Sequence, residues 1–276
     1  MPMQRGTVFV TGASSGIGRA TAERLARDGF DVIPGMRRDE PLPAPVQPPV
    51  LIDLADPESI GPACKQVLER ANGRLVGVVN NAGINVNGPF ETVAVERWRE
   101  QFEVNLFGHI AVTQALLDAL FANHGRIVNV GSIGGRHASP MLAPYNASKF
   151  AVHGWTDSMR NELAPHGVKV ILVEPGSIAT AMWDKGISAA ETHLSDNLTD
   201  EQKQRYGKQA ERAMRTARFA ASHAVPADRV AKVIERALTA RRPRGRYLVG
   251  PDARVQAAIA VAPTPVFDRL TKLVVG

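Results

Sequence analysis

Tyr145 and Lys149 stand four residues apart in the stretch APYNASKFAVHG, 143–154. On a helix of 3.6 residues per turn that spacing places both side chains on one face, a turn apart. A free phenol titrates near ~10, too high to exchange protons readily at neutral pH, and a neighbouring cation favours its ionised form. The pair could therefore work as a general acid and base. Taken alone, the same spacing also describes an exposed tyrosine lying on a lysine stem. The rest of the chain decides between the two.

A second set of residues could do chemistry near the N-terminus. In VFVTGASSGIGRATAERLARDG, Gly12, Gly16 and Gly18 sit between an apolar run and a helix-period segment, with Ser14, Ser15 and Ile17 among them. Glycines allow a tight turn and close approach of backbone N–H groups to a phosphate, and the helix N-terminus adds partial positive charge. A strand–turn–helix context is what a dinucleotide site requires of such a pattern. An acidic side chain at the end of the following strand would read a ribose 2′-hydroxyl, whereas a 2′-phosphate needs an arginine. Here that place is taken by Arg37 and Arg38, with no carboxylate. Either the two arginines are solvated on a loop or they fork onto phosphate oxygens; we expect NADP(H) in preference to NAD(H).

Other chemistries find little support. Seven histidines are scattered without an HExxH pattern, so no metal site is expected, and a GxSxG nucleophile elbow is absent. The charge of +6 carries one dense basic run, ARRPRGRY, without interleaved aromatics, so we expect no nucleic-acid partner. No stretch holds the roughly 18 consecutive apolar residues of a membrane span, and the chain reads as cytoplasmic. The single Cys64 cannot form an internal disulfide.

The elements that must position these groups follow from periodicity. Short β-branched runs at 7–11, 31–35, 50–52, 75–80, 126–132, 168–175 and 246–250 alternate with helix-period segments at 16–28, 57–71, 96–122, 145–165 and 226–240. Continuously apolar strands between helices predict one doubly wound α/β domain of the Rossmann type, with a parallel sheet of about seven strands. The 276 residues, 44% hydrophobic and 22% charged, suit a single globular unit over 1–250. Proline-rich 36–49 should be a loop where a helix would otherwise stand. Asp56 and Pro57 should cap and open the next helix. Residues 181–225 are helix-prone without strands of their own and are expected to form a substrate lid. The apolar tail, 251–276, is expected to pack on the domain or on a subunit neighbour. No internal repeat is visible.

Five pieces now stand in one order: TGASSGIG (11–18), NNAG (80–83), Ser132 thirteen residues before Tyr145, YxxxK, and PG (175–176) followed by Thr180. Together they resemble the short-chain dehydrogenase/reductase family across residues 6–250. The resemblance implies that Asp53 contacts adenine, with the Leu54 backbone beside it. It implies that Asn81, Ala82 and Gly83 support the cofactor, and that Pro175, Gly176, Ile178 and Thr180 hold its nicotinamide end. Ser132, Tyr145 and Lys149 would form the reaction centre, with Asn105 keeping a proton-relay water. Tyr145 would be the general acid/base, Lys149 would bind the ribose, and Ser132 would donate to the substrate oxygen. Two departures stand out: the proline-rich loop and Gly131, where many members carry a second serine.

Within the family the chain looks most like the branch acting on hydroxysteroids, retinol and related lipophilic alcohols. Met141, Leu142, Met182 and Trp183 fall in the implied substrate loops, and their bulk suits a lipophilic ligand; they could also pack only on one another. Arg136 and His137 either line the entrance or are simply exposed. The rival functions are a 3-ketoacyl carrier-protein reductase and a non-catalytic NADP-sensing protein. Members of this fold commonly pair through two long helices, here 96–122 and 145–165, so a homodimer or homotetramer is expected.

Overall fold

The computed structural model describes residues 5–196 and 198–275. Its chain order is β1 (Thr7–Thr11), α1 (Gly16–Arg27), β2 (Asp31–Met36), β3 (Val50–Leu51), α2 (Pro57–Ala71) and β4 (Leu75–Asn80). Then come α3 (Val95–Phe102), α4 (Gly108–Ala122), β5 (Arg126–Val130), α5 (Ala143–Leu163) and β6 (Lys169–Pro175). The remainder is β7 (Ile178–Ala179), α6 (Ala181–Asp196), α7 (Asp200–Ser222), β8 (Val225–Pro226), α8 (Ala227–Thr239), β9 (Arg246–Val249), α9 (Pro251–Ile259) and α10 (Thr264–Val275).

Seven strands pair in the order β3-β2-β1-β4-β5-β6-β9, all parallel. The chain leaves β1 toward β2 and returns to β4 on its other side, which opens a crevice at the strands' C-terminal ends. Alternate residues of each strand feed opposite cores, as a period of two demands. Val8 and Val10 pack with Ala22 and Leu25 of α1 and Ile234 and Leu238 of α8. Phe9 faces the other way, into a core with Ile33, Val78, Leu116 and Ile127. Each of these side chains is fully buried, and all but Ala22 are worth roughly 1.5–3 kcal/mol apiece in apolar transfer.

The Rossmann architecture is the one the alternating pattern predicts. Residues 37–49 form no helix; the loop is tied down by the Gln47 N–H donating to Val32 O at 3.1 Å. Asp56 caps α2, its side chain accepting from the Glu58 N–H at 3.0 Å, with Pro57 as first helical residue. Two short strands, β7 and β8, add a small separate ladder that periodicity did not reveal.

The segment read as one helix over 96–122 is continuous in extent but locally widened. Residues Glu103–Phe107 form a π turn between α3 and α4. Such turns make a helix bulge and frequently mark functional sites. The joined run Val95–Ala122 is the one helix, among the described residues, long and apolar enough by length and composition to cross a membrane. It carries no uninterrupted apolar stretch, and its inner face packs on α2 and places Asn105, His109 and Thr113 in the interior.

Candidate active site

The glycine turn, residues 81–83, Ser132 and the 175–180 turn all follow the C-terminal ends of neighbouring strands, β1, β4, β5 and β6. At the crevice floor Gly12 and Gly16 adopt φ of +66° and +55°, which favour glycine. A Cβ on Gly18 would lie 2.2 Å from Gly12 O, and one on Gly12 would lie 2.7 Å from Ala82 Cα. Only glycines let these segments meet. Ser15 is the N-cap of α1 but makes no capping bond through its side chain, and Ser14 and Ser15 are exposed. The first turn of α1 thus presents N–H groups and the positive end of its dipole to the crevice, a cradle that fits a pyrophosphate.

Asn81 holds the cradle from β4. Its Nδ2 donates to Thr11 O at 2.9 Å and Gly12 O at 3.3 Å, and the N–H groups of Asn81 and Ala82 donate to Thr11 Oγ1. His109, unforeseen from sequence, braces the same loop by donating from Nε2 to Ala82 O at 2.8 Å. Burial pushes its pKa down to about 4, the Ala82 bond opposing. Arg37 and Arg38 lie exposed just past the end of β2, where the sequence put them. Asp53 is partly buried beyond β3, with Oδ1 accepting from the Ala55 N–H at 3.0 Å. Leu54 is buried against Gly108. At the far wall Thr180 closes on the glycine turn, its Cγ2 3.0 Å from where a Gly16 Cβ would be. Pro175 ends β6 and Ile178 is buried in β7.

The reactive groups stand above the ends of β5 and β6. Ser132 and Tyr145 converge beside Gly134, where an added Cβ would lie 3.4 Å from both Ser132 Oγ and Tyr145 Cε1. Ser132 Oγ accepts from the Gly134 N–H at 3.1 Å. Lys149 Nζ is 5.9 Å from the Tyr145 ring centroid and donates to Val130 O at 3.0 Å. Lys149 is buried while Tyr145 keeps some exposure. Burial pushes Lys149 down to about 8. Burial also raises the Tyr145 phenol above its ordinary value, and the nearby Ser132 side chain offsets part of that rise. Here the structure differs from the expectation of a phenol lowered by its lysine. Tyr145 is desolvated, and the Lys149 cation donates to a backbone carbonyl.

Asn105 sits in the π turn. Its Oδ1 accepts from the Ile84 N–H at 2.9 Å, and its Nδ2 donates to Ile84 O and Ser148 Oγ, both at 3.2 Å. The side chain therefore ties the loop after β4 to α5. Sequence reasoning missed Asn146, which is buried and holds the loop between Ser132 and Tyr145. Its Oδ1 accepts from the Ser139 N–H at 3.1 Å, and its Nδ2 donates to Gly134 O at 2.9 Å. An Asn directly after the tyrosine was the available signal.

Arg136 is not simply exposed. It forks onto the fully buried Glu174, Nε to Oε1 at 2.6 Å and Nη2 to Oε2 at 2.9 Å. Arg246 joins at 3.2 Å and bonds Asp157 as well, and His153 Nδ1 lies 3.6 Å away. Burial pushes His153 down to about 4. The clue in the sequence was a lone carboxylate following the apolar run VILV in VKVILVEP. His137 instead meets Gln256 of α9, Nε2 to Oε1 at 2.6 Å.

Of the residues expected to face substrate, Met141 and Leu142 are partly buried in the loop before α5. Met141 takes φ +67°, strained for a non-glycine residue, and its carbonyl accepts from the Gly88 N–H at 2.8 Å. Met182 is 39% exposed, whereas Trp183 is anchored by Nε1 donating to Ile178 O at 2.9 Å. The helices α6 and α7 are tied to the loop after β4 by Asn87 donating to Gly186 O at 3.0 Å. Arg205 and Tyr206 add bonds to Glu91 at 2.5 and 2.8 Å. Among the described residues no cluster of histidine, cysteine and carboxylate side chains could hold a metal.

Comparison with known proteins agrees with this geometry. The family model described as short chain dehydrogenase matches residues 6–191. The chain is 40% identical over 182 residues to an uncharacterized oxidoreductase, YbbO, of Escherichia coli, covering 64% of this chain and 68% of that one. It is 31% identical over 275 residues to an NADPH-dependent 3-dehydrocapnine reductase of Ornithobacterium rhinotracheale, covering 95% and 94%. A solved short chain dehydrogenase of Burkholderia cenocepacia in complex with NADP superposes with a TM-score of 0.74 at 28% identity, over the whole of both chains. With a cradle shaped for a pyrophosphate and a Ser–Tyr–Lys cluster at its open end, the chain belongs to the short-chain dehydrogenase/reductase family and is an NAD(P)-dependent oxidoreductase.

Proposed function

We propose that the protein transfers hydride between NADP(H) and a lipophilic secondary alcohol or ketone of the steroid, retinoid or long-chain type. The observation that carries this reading is the convergence of Ser132 Oγ and the Tyr145 ring at Gly134, with buried Lys149 one helical turn from Tyr145. The bound dinucleotide supplies or accepts the hydride.

Tyr145 gives its proton to the carbonyl oxygen during reduction and takes it back in oxidation, a role worth ~10²–10⁴ in rate. In the cofactor-free protein its raised pKa keeps the proton on the phenol, the form needed for reduction. Ser132 donates to the same oxygen and stabilises the charge developing there. Lys149 binds ribose hydroxyls and delivers a nearby positive charge. Asn105 holds Ile84 and Ser148, and so the geometry of Tyr145, whose carbonyl accepts from Ser148 Oγ at 2.8 Å. Gly12, Ser14, Ser15, Gly16, Ile17 and Gly18 would carry the pyrophosphate, Asp53 and Leu54 the adenine, and Asn81, Ala82, Gly83 and 175–180 the nicotinamide half.

Preference for NADP(H) rests on Arg37, exposed past β2 with no carboxylate beside it in the 2′ position. The lipophilic substrate rests on Met141, Leu142, Met182 and Trp183, with 181–225 as the lid over them. A groove of about 470 Å³ between α4 and α5, lined by Leu117, Trp155 and Met159, together with exposed Phe107 and Phe150, supports pairing of two copies.

The test is nicotinamide absorbance with each cofactor against lipophilic ketones, their alcohols and 3-ketoacyl carrier-protein thioesters. Turnover of free ketones with NADPH is expected. Turnover confined to carrier-bound thioesters would replace the substrate class, and dinucleotide binding without any turnover would favour a sensor.

A further inference from the structure

The segment after β9 lies beyond the residues matched by the family model, yet it contacts the turn that follows β6. Asp252, second residue of α9, turns its carboxylate out of its own helix and onto the turn that follows β6. Its Oδ2 accepts from the Ser177 N–H at 2.7 Å. Its Oδ1 occupies a slot that exists only because two residues lack a side chain: a Cβ on Gly176 would stand 2.4 Å from it, and one on Gly250 2.5 Å. Gly250 takes φ +114°, which glycine alone adopts readily, and so brings the carboxylate back over the sheet. One further bond, Gly176 N–H to Val249 O at 2.9 Å, completes the clasp.

The clasp joins two parts of the site. On one side the turn continues to Thr180, which closes on Gly16 of the phosphate cradle. On the other, Ala253 and Ala257 of α9 are buried against Ile133, the neighbour of Ser132. The 176–180 turn thus meets the phosphate cradle at one end and, through α9, the residue next to Ser132 at the other.

We propose that Asp252 is a positioning residue that fixes the Gly176–Ser177 backbone for the nicotinamide half of the dinucleotide, leaving the adenine half untouched. The inference rests on the dinucleotide reading above. A charged acceptor holding one backbone N–H is typically worth a factor of about tenfold or more in an equilibrium.

The experiment is calorimetric titration of wild type, Asp252→Ala and Asp252→Asn with NADPH and with 2′,5′-ADP, which lacks the nicotinamide nucleoside. The fluorescence of bound NADPH is read alongside. Expected is about tenfold weaker NADPH binding by Asp252→Ala, with altered nicotinamide emission and 2′,5′-ADP binding within about twofold of wild type. Asp252→Asn, which keeps an acceptor oxygen, should regain most of the loss. Equal NADPH binding by all three proteins overturns the inference. So does parallel loss of both ligands, which would make Asp252 a fold residue. If wild type binds ADP and NADH better than the 2′-phosphorylated forms, the Arg37 reading fails instead, and the same comparison runs with ADP and NADH.

Discussion

Two buried histidines should make the protein lose stability on the acid side of neutrality, by an amount the structure specifies. His109 and His153 are each pushed from 6.5 to about 4 by burial. Both are almost wholly inaccessible, at 3% and 5% exposure, so solvent does little to soften the effect. In the folded protein both stay neutral until about pH 4, whereas the unfolded chain protonates them from 6.5 downward. The unfolded state therefore binds more protons throughout that window, and stability falls with pH. Stability is whole above 6.5, is lost between 6.5 and 4, and falls no further from these groups below that. At ~1.36 kcal/mol per pH unit, each histidine withdraws about 2 kcal/mol by pH 5 and about 3 kcal/mol at the limit. Two together approach half of the 5–15 kcal/mol typical of a whole domain. Urea unfolding of the cofactor-free protein at pH 7.5, 6, 5 and 4.5, followed by circular dichroism, measures this directly. Replacing one ring, as in His109→Gln with its donor to Ala82 O kept, should halve the pH slope. A wild-type slope near zero over this range, or one unchanged by His109→Gln and His153→Gln alike, would refute the burial argument.

Other perturbations reach the site more directly. Glu174→Gln leaves Arg136 and Arg246 facing an amide; with both arginines near 30% exposed, the cost should be about 2–3 kcal/mol, at the low end for a broken buried pair, read as a lower urea midpoint. Arg37→Ala should weaken NADPH by about tenfold or more and leave NADH nearly unchanged, as titration with both would show. Lys149, pushed down to about 8, keeps its charge below that pH and loses it above, so NADPH affinity should fall as pH rises past 8. Lys149→Met should bind weakly at all pH values and lose that dependence.

What could be read in the sequence was what local chemistry dictates. The glycine turn, the strand ends and the Tyr145–Lys149 spacing each follow from a short window, and the parallel order follows from alternating apolar runs. What could not be read depends on distant segments meeting. Glu174 finds Arg136 across 38 residues and Asp252 finds Ser177 across 75, and no period links them. The π turn at Asn105 was hidden because one extra residue in a helical turn leaves the apolar pattern of 96–122 nearly intact. The pKa of Tyr145 was misjudged because spacing reveals the neighbouring lysine but not how far burial desolvates both.

The central claim is that Tyr145 moves the proton. Single-turnover oxidation of NADPH by a reactive lipophilic ketone, in wild type and Tyr145→Phe at matched cofactor saturation, tests it. The account predicts that the phenylalanine protein binds NADPH within about twofold of wild type and transfers hydride at least ~10²-fold more slowly. Hydride transfer at the wild-type rate by Tyr145→Phe would contradict it.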